Sequence, residues 1–392
     1  MRASTMKRNG QKWISVVGAR PQFVKLAPVC RAIEAHNAEA DSPIEHVIVH
    51  TGQHYDPEVA ELFFVQMAIP EPKYNLGAGS GTFGAQLGRM LEGLEPIFKK
   101  EHPDQVIVYG DTNSTLAGAL IASRLHLPLV HVEAGCRSYD MRMPEEQNRI
   151  VADQLSAVLF VASASAQENM HREGIGAKDD PLQRRVVFAG DVMYDALLHN
   201  LRLAQKTAAG SLATQGLETG CYDLLTIHRA ENTDDPRILA GILNAVGSLD
   251  GPVVFPVHPR TRAVLAKNGL AIPPNVKQIP PAGYLEMLMF EKNARAILTD
   301  SGGVQKEAFY LGVPCVTLRD RTEWPETVAL GANRVAGTSK ESILAAVSAA
   351  ESAKRMPGTP YGDGQAARKI VAELIRLGDG RAVRDEERAV TA

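Results

Sequence analysis

No stretch of this sequence approaches the roughly 20 consecutive apolar residues that a membrane helix needs, and the basic N-terminus MRASTMKRNGQKW lacks the continuous apolar core of a signal peptide. A cytoplasmic protein that inserts into no membrane is expected. Cysteine is scarce: Cys30, Cys136, Cys221 and Cys315 lie far apart in the 392 residues, with no CxxC or Cys/His ligand spacing, and read as reduced core residues. No HxH or HExxH spacing occurs, so no metal site is predicted. The phosphate-loop pattern GxxxxGK[ST] is missing too, which argues against an ATPase. Charge of one sign is lacking as well. Lys plus Arg total 42 against 45 for Asp plus Glu, and a formal charge of −3 offers no field for nucleic acid or an anionic surface. Gly79-Ser-Gly-Thr-Phe-Gly84 matches GxGxxG, but no buried strand precedes it and it opens no βαβ unit. A nicotinamide is not expected, and no cofactor of any kind is predicted.

What is present is a repeated alternation. Short β-branched runs at Ile14–Val17, Ile44–Val49, Val106–Tyr109, Leu129–Val132, Val158–Val161 and Val186–Phe188 read as strands. Between them Phe23–Ala35 and Thr115–Leu125 carry helical spacing. The pattern restarts at Leu224–Ile227, Val253–Pro256, Val276–Ile279, Ala296–Leu298 and Cys315–Leu318. Alternation of this kind means parallel sheets with helices on both faces, and the length suits two domains. We expect an α/β protein of two doubly wound domains, 12–192 and 193–363, with a ligand between them. An amphipathic helix over 364–378 then packs back across the seam, and residues 1–11 and 381–392 are expected to be disordered.

The segment Gln105–Arg149 delivers acids to the carboxyl ends of two buried strands, Asp111 and Glu133, where a doubly wound sheet meets its ligand. Glu145 and Arg149 follow at i and i+4, either a solvated ion pair or two groups pointing into a cleft. Three acids near one crevice suggest proton chemistry. In AILTDSGGVQKEA, a strand runs through Ser301, Gly302 and Gly303 into a helix beginning near Val304. This reads as a phosphate cradle, the alternative being a tight turn that binds nothing. Glu307, one turn on, suits ribose hydroxyls. Arg20, in the loop of VVGARPQFVK, and Lys25 beyond it offer cations for a phosphate, with Pro21 at the first helical position; the alternative for Arg20 is a surface side chain. His228 and His258 each follow a strand of the second sheet, where a histidine serves phosphate contact, proton transfer or structure.

Taken together, GARPQFVKLAP, TGQHYD, YGDTNSTLAGAL, HVEAG, MPEEQNR, TIHRAEN, PVHPR, LTDSGGVQKEA and PYGDGQ closely resemble the non-hydrolysing UDP-N-acetylglucosamine 2-epimerases, over about residues 14–378. The resemblance implies a GT-B-like pair of Rossmann-like domains with the active site in the cleft between them, a homodimer, and interconversion of UDP-GlcNAc and UDP-ManNAc through a 2-acetamidoglucal for cell-surface polysaccharide precursors. It puts Asp111, Glu133, Glu145 and His228 on the catalytic positions. It puts Arg20, Lys25, Ser301, Gly302, Gly303 and Glu307 on UDP-binding positions, with Arg149 beside Glu145 and Glu146 pointing elsewhere. Three departures stand out. Trp324 in TEWPE replaces the Arg of TERPE. The glycine-rich GAGSGTF replaces an Arg-Gln pair of an allosteric site, although Gln53 is retained. Finally, GARPQF, RMPEEQNR and TIHRAENTDD look more like the branch acting on UDP-2,3-diacetamido-2,3-dideoxyglucuronate, for which Arg137, Arg142 and Arg229 are candidate carboxylate partners. A GT-B glycosyltransferase, a hydrolysing epimerase and a nucleotide-sugar sensor are the alternatives from other classes.

Overall fold

The computed structural model describes residues 10–53, 64, 67–352 and 358–390. The chain divides into two compact units, Met1–Ala196 with Pro360–Ala392, and Leu197–Thr359. Each is built on one wholly parallel sheet.

In the first unit the strands are β1 (Lys12–Val17), β2 (Glu45–His50), β3 (Tyr74–Asn75), β4 (Gln105–Tyr109), β5 (Leu129–Ala134), β6 (Val158–Val161) and β7 (Arg185–Phe188), in the order β3-β2-β1-β4-β5-β6-β7. The second unit contains β8 (Asp223–Thr226), β9 (Val253–Pro256), β10 (Val276–Ile279), β11 (Ile297–Thr299), β12 (Cys315–Thr317) and β13 (Asn333–Val335), in the order β10-β9-β8-β11-β12-β13. Both sheets reverse their strand order once, between β1 and β4 and between β8 and β11. Loops at the carboxyl ends of those neighbours diverge to opposite faces and leave a ligand crevice.

The strands form where they do because both faces of each sheet are covered. Along the second sheet Leu225, Phe255, Leu298 and Val316 enter one apolar cluster, while Leu224, Val254, Ile297 and Cys315 enter the cluster on the other face. Side chains alternate across a strand, so a strand buried on both sides must be apolar at every position. Each fully buried aliphatic side chain contributes about 1.5–3 kcal/mol.

Several expectations need adjusting. Arg20 is not in a loop: it is the first residue of the helix Arg20–Asn37, capped by Ala19, so Pro21 is the second residue of that helix. The helix after β11 starts at Gly302, two residues before Val304, because Ser301 caps it. The C-terminal helix runs Ala366–Val390, past the expected end at 378 and through the start of the tail expected to be disordered. Ala, Arg and Glu there favour helix and no proline intervenes. It belongs to the first unit, where the Gln105 side chain donates to the Leu374 carbonyl at 3.0 Å. At the other terminus Gln11, which was also expected to be disordered, accepts a hydrogen bond from the Trp13 indole at 3.0 Å. Residues 1–9 and 391–392 lie outside the described residues. Cys30 and Cys315 are buried, but Cys136 is half-buried and Cys221, in a turn before β8, is exposed. The first unit ends at Ala196, within the helix Val192–Thr207.

Candidate active site

In the first unit the functional side chains gather at the carboxyl ends of β1, β4 and β5. Asp111 follows β4, and Arg149, from the helix Pro144–Leu155, donates to its Oδ2 through Nη2 at 2.6 Å and Nε at 3.0 Å. Glu133 lies in β5, where the pairing to β6 slips between Val132 and Ala134. It adopts φ +66°, a left-handed conformation costly for a side chain with a Cβ. That bulge turns Glu133 toward Lys25, whose Nζ lies 2.7 Å from Oε1. Both side chains are below 10% exposed. Gly110 adopts φ +59°, which a side chain would strain, and a Cβ there would lie 2.7 Å from the Lys25 Nζ and push that ammonium aside.

Glu145 does not pair with Arg149. It is half-buried, with no hydrogen bond or ion pair to the described residues, whereas Arg149 Nη1 takes Glu146 at 3.1 Å, one turn away. Glu146 is buried and accepts the Ser138 and Tyr139 amides at 2.9 Å each. Burial opposes its ionisation, yet those donors and Arg149 hold its carboxyl below the usual range. Its job is to hold the 138–139 turn.

Two supports escaped the sequence reading. Gln22 accepts from the Gly18 and Ala19 amides at 2.8 and 3.2 Å and donates to the Tyr109 carbonyl at 3.0 Å, tying the β1 loop to the end of β4. His131, fully buried, faces the Asp153 carboxylate at 2.6 Å and the Gly110 carbonyl at 2.7 Å. The ring thereby bridges the Asp153 carboxylate and the end of β4. Burial disfavours the Asp153 charge, but His131 and Arg137 outweigh it and lower its pKa. The signal available was HVEAG itself, a polar residue inside an apolar strand.

The second unit converges on Asp300, at the end of β11. This fully buried carboxylate accepts the backbone amides of His228 (3.0 Å to Oδ2) and Arg229 (2.9 Å), both following β8, and the Asn232 amide at 3.1 Å. Its Oδ1 lies 3.2 Å from His228 Nδ1. Asp300 therefore clasps the two strand ends across the reversal and leaves His228 Nε2 facing outward. Burial works against the charge, but His228 and the amides hold the Asp300 carboxyl below its ordinary value. The His258 ring lies tilted against that of His228, 5.5 Å between centroids, and its Nδ1 accepts the Arg260 amide at 3.2 Å, capping the helix Pro259–Asn268. Capping is thus one demonstrable role of His258.

Ser301 caps the helix Gly302–Leu311, its hydroxyl accepting from the Val304 amide at 3.4 Å. Neither Gly302 nor Gly303 has a positive φ, and a Cβ on either would make only ordinary contacts at 3.5 Å or more. Nothing in this chain's own packing demands glycine there, which is the pattern expected when something outside the chain approaches the helix's free amides. Trp324 donates its indole N–H to the Gly302 carbonyl at 2.9 Å and carries the buried Lys306 ammonium 4.1 Å over its ring. The residue standing in place of an arginine thus braces the glycine loop. Glu307 is buried one turn in, beside Glu291 and Tyr284. Arg20 is exposed at its helix start.

Of the three arginines considered for a substrate carboxylate, Arg137 is buried against Asp153 (2.7 Å) and forks onto Glu173 (2.7 and 2.8 Å). Arg142 is exposed and paired to Asp140 at 2.8 Å. Arg229 alone of the three makes no ion pair with any described residue; its Nε is buried without a partner, and its Nη2 lies 4.0 Å from where a Gly302 Cβ would sit. No group of three or more His, Cys, Asp or Glu among the described residues is arranged to hold a metal ion, and no described helix is long and apolar enough to cross a membrane.

Comparison with known proteins adds an independent view. The profile of a family described as UDP-N-acetylglucosamine 2-epimerase matches residues 36–375. A UDP-N-acetylglucosamine 2-epimerase homolog of Methanococcus maripaludis is 48% identical over 93% of this chain and all of its own length. The UDP-2,3-diacetamido-2,3-dideoxy-D-glucuronate 2-epimerase of Pseudomonas aeruginosa is 45% identical over the same shares. Among solved structures, the Methanocaldococcus jannaschii UDP-GlcNAc 2-epimerase in complex with UDP-GlcNAc and UDP is 43% identical. It superposes with a TM-score of 0.82 over 93% of this chain and 99% of that one.

Proposed function

The chain belongs to the UDP-N-acetylglucosamine 2-epimerase family, isomerases of GT-B-like fold, and from that premise we propose that it interconverts UDP-GlcNAc and UDP-ManNAc by eliminating UDP to a 2-acetamidoglucal and adding UDP back at C1 with a proton delivered to the opposite face of C2. The C2 proton of the sugar is not acidic, so its removal accompanies cleavage of the anomeric C–O bond. That demands a positioned base and a well-stabilised diphosphate.

The observation that carries the reading is the pair of acids on neighbouring strand ends, each held by its own cation: Asp111 by Arg149 and Glu133 by Lys25. They remove and return the C2 proton, with Glu145, which has no partner of its own among the described residues, assisting. His228, its Nδ1 fixed by Asp300, offers Nε2 to the leaving diphosphate, and the amides of Gly302 and Gly303 donate to the same oxygens, joined by Arg20. Glu307 takes the ribose hydroxyls. The resemblance adds a homodimer that supplies precursors for cell-surface polysaccharide.

Asp111→Asn and Glu133→Gln test this. Each is expected to lower turnover by about 10²–10⁴-fold, the usual worth of a positioned acid or base, while UDP binding is retained. Turnover near the wild-type level in both variants would overturn the assignment.

Arg229 favours a second reading. A uronate at sugar C6 needs a cation that no protein carboxylate already holds, and Arg229 meets that condition while Arg137 and Arg142 do not. If the substrate is UDP-2,3-diacetamido-2,3-dideoxyglucuronate, Arg229→Leu raises KM for the uronate far more than for UDP-GlcNAc. Equal loss on both substrates assigns Arg229 to the diphosphate instead.

A further inference from the structure

Beneath the Ser301–Gly303 loop lies a polar cluster enclosed by apolar side chains. Glu291, in the helix Tyr284–Asn293, is fully buried, and neither of its carboxylate oxygens has a hydrogen-bond donor among the described residues. The group facing it is another acid, Glu307 of the helix Gly302–Leu311. The other ionisable groups around the pair are the Lys306 ammonium beside Glu307, the Tyr284 hydroxyl, which feels both acids, and Tyr222 before β8 and Cys315 in β12, which feel Glu291. The Tyr222 hydroxyl already donates to the Phe290 carbonyl at 2.7 Å. The two helices that carry the pair contribute Phe290 and Ala308, and β11 contributes Ile297, to one buried apolar cluster.

Two ionised carboxylates cannot occupy such a place, because each loses its hydration and repels the other. Two carboxyl oxygens with no donor between them become a hydrogen bond as soon as one carries a proton. Glu291 is the natural carrier, being the more deeply enclosed, whereas Glu307 is nearer the loop and keeps the Lys306 charge close by. Burial and the neighbouring acid push the proton affinity of both upward, most strongly for Glu291.

We infer that Glu291 is a protonated positioning acid, which donates one hydrogen bond to Glu307 and so fixes that carboxylate as an acceptor for the ribose hydroxyls of the bound nucleotide. The inference rests on the reading of Glu307 as a UDP ligand. It gives the site a specific pH response. At neutral pH the pair holds one negative charge. Raising the pH removes the shared proton, places two charges side by side in apolar surroundings, and drives Glu307 out of position.

UDP binding measured by calorimetry from pH 6.5 to pH 9.5 tests this with four proteins. Glu291→Gln keeps a donor of similar shape without the titrating proton. It should bind UDP as the wild type does at pH 7 and lose the wild-type weakening at alkaline pH. Glu291→Leu removes the donor and should weaken UDP about 10-fold at pH 7, the scale of one hydrogen bond to a charged group. Glu307→Ala should lose most UDP affinity. If Glu307→Ala loses binding while Glu291→Gln keeps the wild-type pH profile and Glu291→Leu binds as tightly as the wild type, the UDP reading stands and this inference falls. If Glu307→Ala binds UDP normally, both fall. Thermal melts of each variant separate a folding defect from these outcomes. A variant that melts as the wild type does but binds weakly counts as a loss of positioning.

Discussion

Asp300 is the side chain whose change should cost most in the second unit, since three backbone or amide donors and the His228 ring converge on it. Asp300→Asn presents an NH2 group to N–H groups that need an acceptor, and should lower unfolding free energy by about 1–3 kcal/mol. It should also reduce turnover, because the His228 ring loses its anchor. Urea unfolding and a rate assay check both. The folded carboxyl of Asp300 is depressed, so its stabilisation is present above the unfolded value and is lost as pH falls through the folded one, in strong acid only. Lys25→Met takes the ammonium away from the buried Glu133 carboxylate and should cost about 3–5 kcal/mol. The double variant Lys25→Met/Glu133→Gln should regain much of that stability in the same urea titration and still be inactive. At this scale the placement of Asp111, Glu133 and His228 at or just beyond strand ends was legible, because the apolar runs mark where those strands stop. Asp300, Gln22 and the His131–Asp153 pair were not, since their work is done against segments far away in the chain: Asp300 and His228 are 72 residues apart.

Most strands of four or more residues announced themselves by short apolar runs, and the structure places them within a residue or two of the expected bounds. β3 and β13, two and three residues long at sheet edges, carry too few positions for any period to show. A turn in the loop after β4 illustrates how strictly an element end is specified. Gly110→Ala forces a Cβ against Lys25 at φ +59° and should lower turnover at least 10-fold by displacing the Lys25–Glu133 pair, at a backbone cost of about 1 kcal/mol or more. A rate assay alongside a melt separates the two effects. The start of the C-terminal helix predicts a pH effect. Asp195 accepts the Ala366 and Ala367 amides at 3.0 and 2.8 Å, yet burial, reinforced by Asp191 and Asp363, raises it to about 6. Its unfolded value is about 3.9, so the folded chain holds the proton more tightly. Stability from this group is therefore full below pH 4 and falls as pH rises toward 6. The difference in unfolding free energy between wild type and Asp195→Asn should shrink across that window; a difference that grows with pH would reverse the sign of the argument.

For the molecule as a whole, the restart of the strand series after residue 220 foretold two doubly wound sheets, and the motif order foretold the family. Both are visible in sequence because a sheet buried on two faces imposes a pattern on every strand, and because loop motifs at strand ends must keep their order. The sugar accepted is not visible in the same way. It depends on the few groups that meet C3 and C6; of the three arginines considered for a uronate, Arg229 is the one without an ion pair among the described residues. The reaction itself, however, makes one demand that no glycosyltransferase or sensor shares: the C2 hydrogen must leave the sugar and be replaced from solvent. Proton NMR of the purified protein with UDP-GlcNAc in deuterated water, repeated with UDP-2,3-diacetamido-2,3-dideoxyglucuronate, is therefore the most direct test. The account predicts deuterium at C2 together with the appearance of the C2 epimer, without any acceptor and without net release of UDP. A C2 proton that persists on both substrates through long incubation with active, UDP-binding protein would contradict it.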